Sequence, residues 1–218
     1  MEIKPITLNY LFGVNSYLLR TREGYFLIDT GLAKKRGQLE EELDAAGCHP
    51  GDLKLIIITH GHTDHTGNAA YLRDRYGAKV AAHRGDSKMF ESGNMFTDAN
   101  GGVLLRLIGV LTKIIGVGDC DGFTPDVILE DNQDLTPYGL KATVLHTPGH
   151  SQGSISIYTS EGDLFCGDLL NNNKKPEKAS LVQDAEQLEA STQKIRALKT
   201  STVHPGHGRS FTMNELTE

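Results

Sequence analysis

The segment T-H-G-H-T-D-H, from Thr59 to His65, constrains this chain more than any other. It grows out of K-L-I-I-I-T at 54–59, a run whose continuous β-branched and leucine character predicts a buried strand. His60, His62, Asp64 and His65 therefore fall within six residues at the end of a rigid element, where side chains can converge on a small volume. Imidazoles combined with a carboxylate suit Zn²⁺, Fe or Mn²⁺, whereas Ca²⁺ prefers an all-oxygen shell. Gly61 removes a side chain where the chain must curl tightly. A single histidine in a polar loop is ordinarily just solvated, but H-x-H-x-D-H is a far more specific pattern.

Short strand-like runs alternate with helical ones around this segment. N-S-Y-L-L-R-T and Y-F-L-I-D-T-G flank a turn at Gly24 and read as strands. A charged helical stretch over 34–46 ends at Gly47, and a second helix over 66–76 stops at Gly77. A-K-V-A-A-H gives another strand, and L-K-A-T-V-L-H-T, S-I-S-I-Y-T-S and D-L-F-C-G-D form a second strand group. A last helix over 184–199 precedes T-V-H and the terminal loop. No repeat or linker-like tract divides the 218 residues, which predicts one domain over 1–218. Strand groups in both halves, each with helices, point to an α+β arrangement of two packed sheets with helices outside.

Residues 84–123 break that rhythm and read as a helical insertion. Within G-G-V-L-L-R-L-I-G-V-L-T-K-I-I-G-V-G, Leu104, Leu107, Ile108, Leu111 and Ile115 share one helical face, with Arg106 and Lys113 on the other. Such a stripe serves as a core helix, as a lid over a site or as a homodimer contact. The segment is too short and too charged for a membrane span.

Three later motifs supply what the first one lacks. His150 stands in T-P-G-H-S after a turn set by Pro148 and Gly149, Asp168 closes D-L-F-C-G-D, and His207 lies in H-P-G-H-G. In this order, and with L-I-D-T-G at Leu27 to Gly31, the set resembles the metallo-β-lactamase superfamily over nearly the whole chain. The resemblance implies an αββα four-layer sandwich of two mixed sheets flanked by helices, with metals in a cleft along one sheet edge. It implies one ion on His60, His62 and His150, a second on Asp64, His65 and His207, and Asp168 bridging the two. Asp29 resembles the family's outer residue that supports the metal loop, although a plain strand-end turn explains an aspartate there equally well.

Two further histidines, His146 and His204, lie close to proposed ligands; the T-P-G-H and G-H-G positions favour His150 and His207 and leave the other two as loop or supporting residues. His49 and His83 carry no motif and read as surface or helix-end histidines. Cys166 precedes Asp168 by two residues in a strand, which places both on one face, yet a buried structural thiol is the expected role.

Function follows from the resemblance as an expectation. Two divalent ions, zinc foremost with Fe or Mn as alternatives, share a water and lower its pKa from about 15.7 towards neutrality. The resulting bridging hydroxide attacks an ester, lactone or thioester, with Asp64 moving the proton. True β-lactamases of the superfamily lack the bridging aspartate. Glyoxalase II adds a C-terminal helical domain, whereas ten residues follow Gly208 here. The tRNA-processing nucleases add an RNA-gripping arm, for which an apolar insertion is poorly suited. Lactonases share the ligand order, and some have apolar lids. Phosphodiesterases of the superfamily and mononuclear iron sulfur dioxygenases are the alternatives. The dioxygenases resemble this chain less, because G-D-L-L-N-N-N-K-K-P-E-K-A-S lacks their arginine–aspartate pair.

The partner is then a small molecule. A formal net charge of −6 argues against nucleic acid. Three cysteines make no disulfide framework and suit the cytoplasm. The opening M-E-I-K-P-I-T-L-N-Y has no signal-peptide pattern.

Overall fold

The computed structural model describes residues 1–10, 13–97 and 120–216. Its first sheet has six strands in sequence order: β1 (Glu2–Asn9), β2 (Gly13–Arg20), β3 (Tyr25–Ile28), β4 (Leu53–Ile57), β5 (Lys79–His83) and β6 (Val127–Leu129). The first three pair antiparallel, and β3 to β6 pair parallel. Its counterpart contains β7 (Ala142–His146), β8 (Ile155–Thr159) and β9 (Asp163–Gly167), joined antiparallel. A short ribbon, β10 (Leu170–Asn171) with β11 (Glu177–Lys178), follows; β12 (Thr202–Pro205) then returns parallel to β9 and completes the order β12-β9-β8-β7. Both sheets are mixed, as expected.

Four layers require three interfaces, and three separate apolar clusters fill them. The first lies between the first sheet and two helices, α1 (Arg36–Ala45) and, after the short helix α2 (Thr63–Thr66), α3 (Ala69–Tyr76). There Leu39 and Leu43 of α1 and Leu72 of α3 meet Leu27, Ile56 and Val80. The second cluster lies between the sheets, where Phe26, Ile28, Leu55 and Ile57 face Val144, Ile157 and Phe165. Strand β4 thus sends Leu55 and Ile57 one way and Ile56 the other, which is why the run from Leu55 to Ile58, after the exposed Lys54, is apolar without interruption. Helix α4 (Ser87–Ser92) sits at the end of the first sheet. The last helix, α5 (Ala185–Arg196), buries Leu188 and Ile195 against Leu164, Cys166 and Val203 in the third cluster. Each such leucine or isoleucine contributes about 1.5–3 kcal/mol through burial. The chain is therefore an αββα sandwich. No helix among the described residues is long and apolar enough to cross a membrane.

Several elements differ from the sequence expectation. Strand β1 was not expected; it is an edge strand, which is where Pro5 is tolerated, and it turns only Ile6 and Leu8 fully inward. The helix expected over 66–76 is two pieces, because the Asn68 amide donates to the Thr30 and Leu32 carbonyls at 2.7 and 3.0 Å and docks the break against that loop. Its first piece starts at Thr63, so Asp64 and His65 are helical residues rather than loop residues. Of the expected insertion at 84–123, the described part is a tight turn at Arg84–Asp86, α4, and a return in which Phe123 stacks on Phe90 with centroids 5.3 Å apart. The amphipathic stripe from Leu104 to Ile115 lies outside the described residues. Asp184 caps α5, accepting from the amides of Glu186 and Gln187 at 3.0 Å.

Candidate metal centre

Strands β3, β4 and β5 run parallel, so the segments leaving them emerge at the same edge of the first sheet. All seven residues singled out by sequence converge there, in two groups: His60, His62, His150 and Asp168, and Asp64, His65 and His207. Within each group the candidate ligand atoms lie within 4.8 Å of one another. His150 Nε2 stands 3.2 Å from His60 Nε2 and 3.0 Å from His62 Nδ1. Asp168 faces both groups, with Oδ2 at 3.9 Å from His60 Nε2, 3.7 Å from His150 Nε2 and 3.2 Å from His207 Nε2, and Oδ1 at 3.3 Å from His65 Nε2. Asp64 Oδ2 lies 3.4 Å from His207 Nε2 and 3.7 Å from His65 Nε2.

Four of the imidazoles are aimed by acceptors on their far side. Carbonyl and carboxylate oxygens can only accept, so the partnered Nδ1 carries a proton and it is Nε2 that faces the cleft. His150 Nδ1 donates to the Leu181 carbonyl at 2.6 Å and His207 Nδ1 to the Gly13 carbonyl at 2.7 Å. His65 Nδ1 donates to Asp29 Oδ2 at 2.9 Å. His60 Nδ1 meets Thr59 Oγ1 at 3.1 Å, and that hydroxyl is itself committed as a donor to Asp29 Oδ2 at 2.7 Å. His62 is the exception and presents Nδ1.

Asp29 therefore gathers three donors, since Oδ1 also accepts from Thr59 N at 2.8 Å. Its φ of 56° lies in the left-handed region, tolerated by aspartate better than by most residues and typical of backbone held by its surroundings. The structure thus resolves its two readings together: it is a strand-end turn residue, and the turn aims its carboxylate at His65. Asp29→Asn, which leaves one donor without an acceptor, is expected to weaken metal retention about 10–100-fold, the range for outer hydrogen-bond partners of ligands. Competition with a chelator measures it; unchanged retention would contradict a supporting role.

Environment divides the protonation states. Burial, helped by neighbouring His65 and His150, holds His60 well below the usual histidine range, and burial with His150 brings His62 down to about 4. Both are neutral lone-pair donors at neutral pH. Burial opposes the charged forms of His65 and His207 too, but Asp168 and Asp64 outweigh it, raising His65 well above its ordinary value and His207 to about 10. Asp168 stays ionised against its burial because His65 and His207 face it. In the second group protons thus occupy positions that a cation would take.

A metal fits this donor set on the structure's own terms. His65 Nε2 and Asp168 Oδ1 are buried and face each other at 3.3 Å without hydrogen-bond geometry, and neither has another hydrogen-bond partner, an arrangement that is costly unless something else satisfies them. The carbons around them leave no slack: a Cβ at Gly206 would overlap Asp168 Oδ1 and come within 2.7 Å of His65 Cε1.

The remaining sequence candidates stay outside the centre. His146 ends β7, stacks on His83 at 4.1 Å and points Nε2 at the Gln152 carbonyl at 2.9 Å. His204 lies in β12 between Ser210 and Asp163, stacked on Phe165. Both are strand residues rather than loop residues. His49 pairs with Asp44 at the surface, and His83 ends a strand rather than a helix. Cys166 does not share a face with Asp168: it is buried under α5, while Gly167, with φ 51°, turns the chain before Asp168 and breaks the two-residue alternation. The sequence reading missed Asp86, Thr59, Asn15 and two carbonyls, those of Leu181 and Gly13. Asn15 clamps the terminal loop, donating to the carbonyls of Pro205 and Gly208 at 3.0 and 2.7 Å. A polar residue just past a strand end, as in H-R-G-D and I-I-I-T, was the available signal for Asp86 and Thr59.

Comparison with known proteins gives a consistent family. The sequence pattern of the Metallo-beta-lactamase superfamily matches residues 9–207. The beta-lactamase-like protein 2 homolog of Drosophila melanogaster is 29% identical over 209 residues, covering 91% of this chain and 59% of that protein. The hydroxyacylglutathione hydrolase GloC of Haemophilus influenzae is 30% identical over 175 residues, with 78% of this chain and 71% of that protein covered. An acyl-coenzyme A thioesterase, MBLAC2 of Bos taurus, is 30% identical over 172 residues, with 72% and 58% covered. This chain therefore spans between a little over half and just under three quarters of these relatives. Among solved structures, TTHA1623 in a di-iron-bound form superposes with a TM-score of 0.74 at 29% identity, over 97% of this chain and 95% of that one.

Proposed function

The chain belongs to the metallo-beta-lactamase superfamily, and from that premise we propose that it hydrolyses a thioester, ester or lactone at a two-metal centre carried by one sandwich domain. The observation that carries this reading is the convergence of seven metal-capable side chains from four separate segments in two adjoining groups. His60, His62 and His150 would hold one ion and Asp64, His65 and His207 the other, with Asp168 between them. A pair of divalent ions, when bound, supplies Lewis acidity and an acidified water. The chain's own residues do the rest. The acceptors behind His60, His65, His150 and His207 fix their donor atoms before any ligand arrives, so no reorganisation is needed during the reaction. Asp64 is the carboxylate we assign to moving the proton: burial raises its pKa, but His65 and His207 outweigh that and keep it ionised.

Two relatives named for thioester-type substrates, the hydroxyacylglutathione hydrolase and the acyl-coenzyme A thioesterase, support a thioester ahead of a lactone. A histidine-rich donor set supports zinc, with iron the alternative because a similar structure carries two irons. An odd and small number of cysteines, at 48, 120 and 166, suits a reducing compartment such as the cytoplasm.

The test combines metal analysis with a substrate panel of acyl-coenzyme A, acyl-glutathione, lactone and phosphodiester compounds. Protein purified without chelator is expected to carry close to two equivalents of metal and to turn over a thioester fastest. One equivalent of iron with oxygen consumption would instead identify a dioxygenase, and full metal with no turnover across the panel would sink the hydrolase reading.

A further inference from the structure

Asp86 is fully buried just past the end of β5 and accepts three hydrogen bonds. Oδ2 takes the amide of Gly61 at 2.7 Å and the hydroxyl of Ser151 at 2.6 Å, and Oδ1 takes the amide of Gly153 at 2.7 Å. These donors are not scattered. Gly61 separates His60 from His62, and Ser151 follows His150 directly. The carboxylate thus ties together the two segments that bring His150 against His60 and His62, partners 90 and 88 residues away in sequence.

The packing is built for this close approach. A Cβ at position 61 would stand 3.0 Å from Asp86 Cβ and 2.8 Å from Met89 Cβ, and one at position 153 would lie 2.6 Å from Asp86 Cγ. Glycine at both positions lets backbone amides reach the carboxylate where any side chain would hold them off. The second group has different supports, Asp29 behind His65 and the Gly13 carbonyl behind His207.

We infer that Asp86 is a positioning residue for the His60–His62–His150 group, setting the spacing of these three imidazoles, whereas Asp29 touches His65 of the other group directly and reaches His60 only through Thr59. The inference rests on the reading of these residues as metal ligands. All three partners of Asp86 donate, so Asp86→Asn keeps the shape but turns its NH₂ against a donor in either orientation. Loss of the brace should therefore loosen one ion and spare the other, a pattern that general destabilisation does not produce.

The experiment loads purified protein with zinc alone and follows stepwise removal by a chelator in native mass spectrometry. Cobalt absorption spectra of His62→Ala and His207→Ala serve as markers for the two groups. Asp86→Asn is expected to weaken one of two equivalents roughly 10–100-fold and to match the His62→Ala spectrum. Equal weakening of both ions, no weakening, or a match to His207→Ala overturns the assignment. Ser151→Ala, which removes one donor and keeps the carboxylate, must show a smaller loss at the same ion, and it decides the matter if Asp86→Asn fails to fold. Wild-type protein that binds no zinc overturns the metal-centre reading itself; wild-type protein with two equivalents beside an unchanged Asp86→Asn overturns only the role of Asp86.

Discussion

Asp168→Ala is expected to lower turnover by more than about 100-fold and to reduce bound metal from two equivalents towards one. The lower bound comes from comparison: loss of a residue that merely supports a ligand costs about 10–100-fold. Asp168 lies nearer the proposed ions than any such support, facing His60, His150, His65 and His207 at 3.2–3.9 Å. A factor of 100 corresponds to about 2.7 kcal/mol of transition-state stabilisation. Removal also leaves His65 and His207 beside a single remaining carboxylate of the centre, Asp64, so like charges face one another with less compensation. Metal analysis and kcat/KM on the best substrate of the panel measure both effects. Two full equivalents with undiminished turnover would remove Asp168 from the bridging position.

The convergence of the seven candidate side chains was legible in the sequence for a physical reason. Four are packed into one turn after a strand, and the other three each follow a strand through a glycine- or proline-bearing turn, so local pattern already implied their exposure at strand ends. The four-layer arrangement was legible through family resemblance and through β4, whose apolar run admits burial on two faces only. What local pattern does not contain is tertiary adjacency. Asp86 looks like an ordinary turn aspartate because its three partners lie at Gly61, Ser151 and Gly153, far away along the chain. Two-residue alternation placed Cys166 with Asp168 and failed because Gly167 adopts a left-handed conformation between them. Strand β1 was invisible for the opposite reason: an edge strand with one inward face and a proline gives too few apolar positions to stand out.

The two sheets contribute to the centre differently. The first supplies His60, His62, Asp64 and His65 together with Asp29 and Asp86, so most of the aiming is done within one layer. The second supplies His150, Asp168 and His207 from three strand ends, and its alignment across the inter-sheet core decides whether the two groups close. The Tyr17 hydroxyl, donated to the Pro205 carbonyl at 2.7 Å, and Asn15 beside it tie β2 of one sheet to the end of β12 in the other.

Phe165→Ala is expected to be the most destabilising single change on the second sheet, at about 3–5 kcal/mol, the range for deleting a buried aromatic ring. Phe165 is fully buried in the inter-sheet cluster. Tyr17 packs edge-on to it at 5.1 Å, and His204 stacks on it at 4.7 Å. Both neighbours are anchored elsewhere, Tyr17 to the Pro205 carbonyl and His204 to Asp163 and Ser210, so they cannot collapse into the space left behind. A cavity that stays open loses contacts as well as burial, which places the cost at the upper part of the range. Urea unfolding of wild type and variant, both in excess chelator, measures it without the stabilisation that bound metal adds by mass action. The transition midpoint should fall with little change in its slope, since nearly the same surface is exposed on unfolding. A loss below about 1 kcal/mol would mean that the sheets slide together to fill the gap. In that case Asp168, three residues further along the chain, would move with them, and metal retention would change in the same variant.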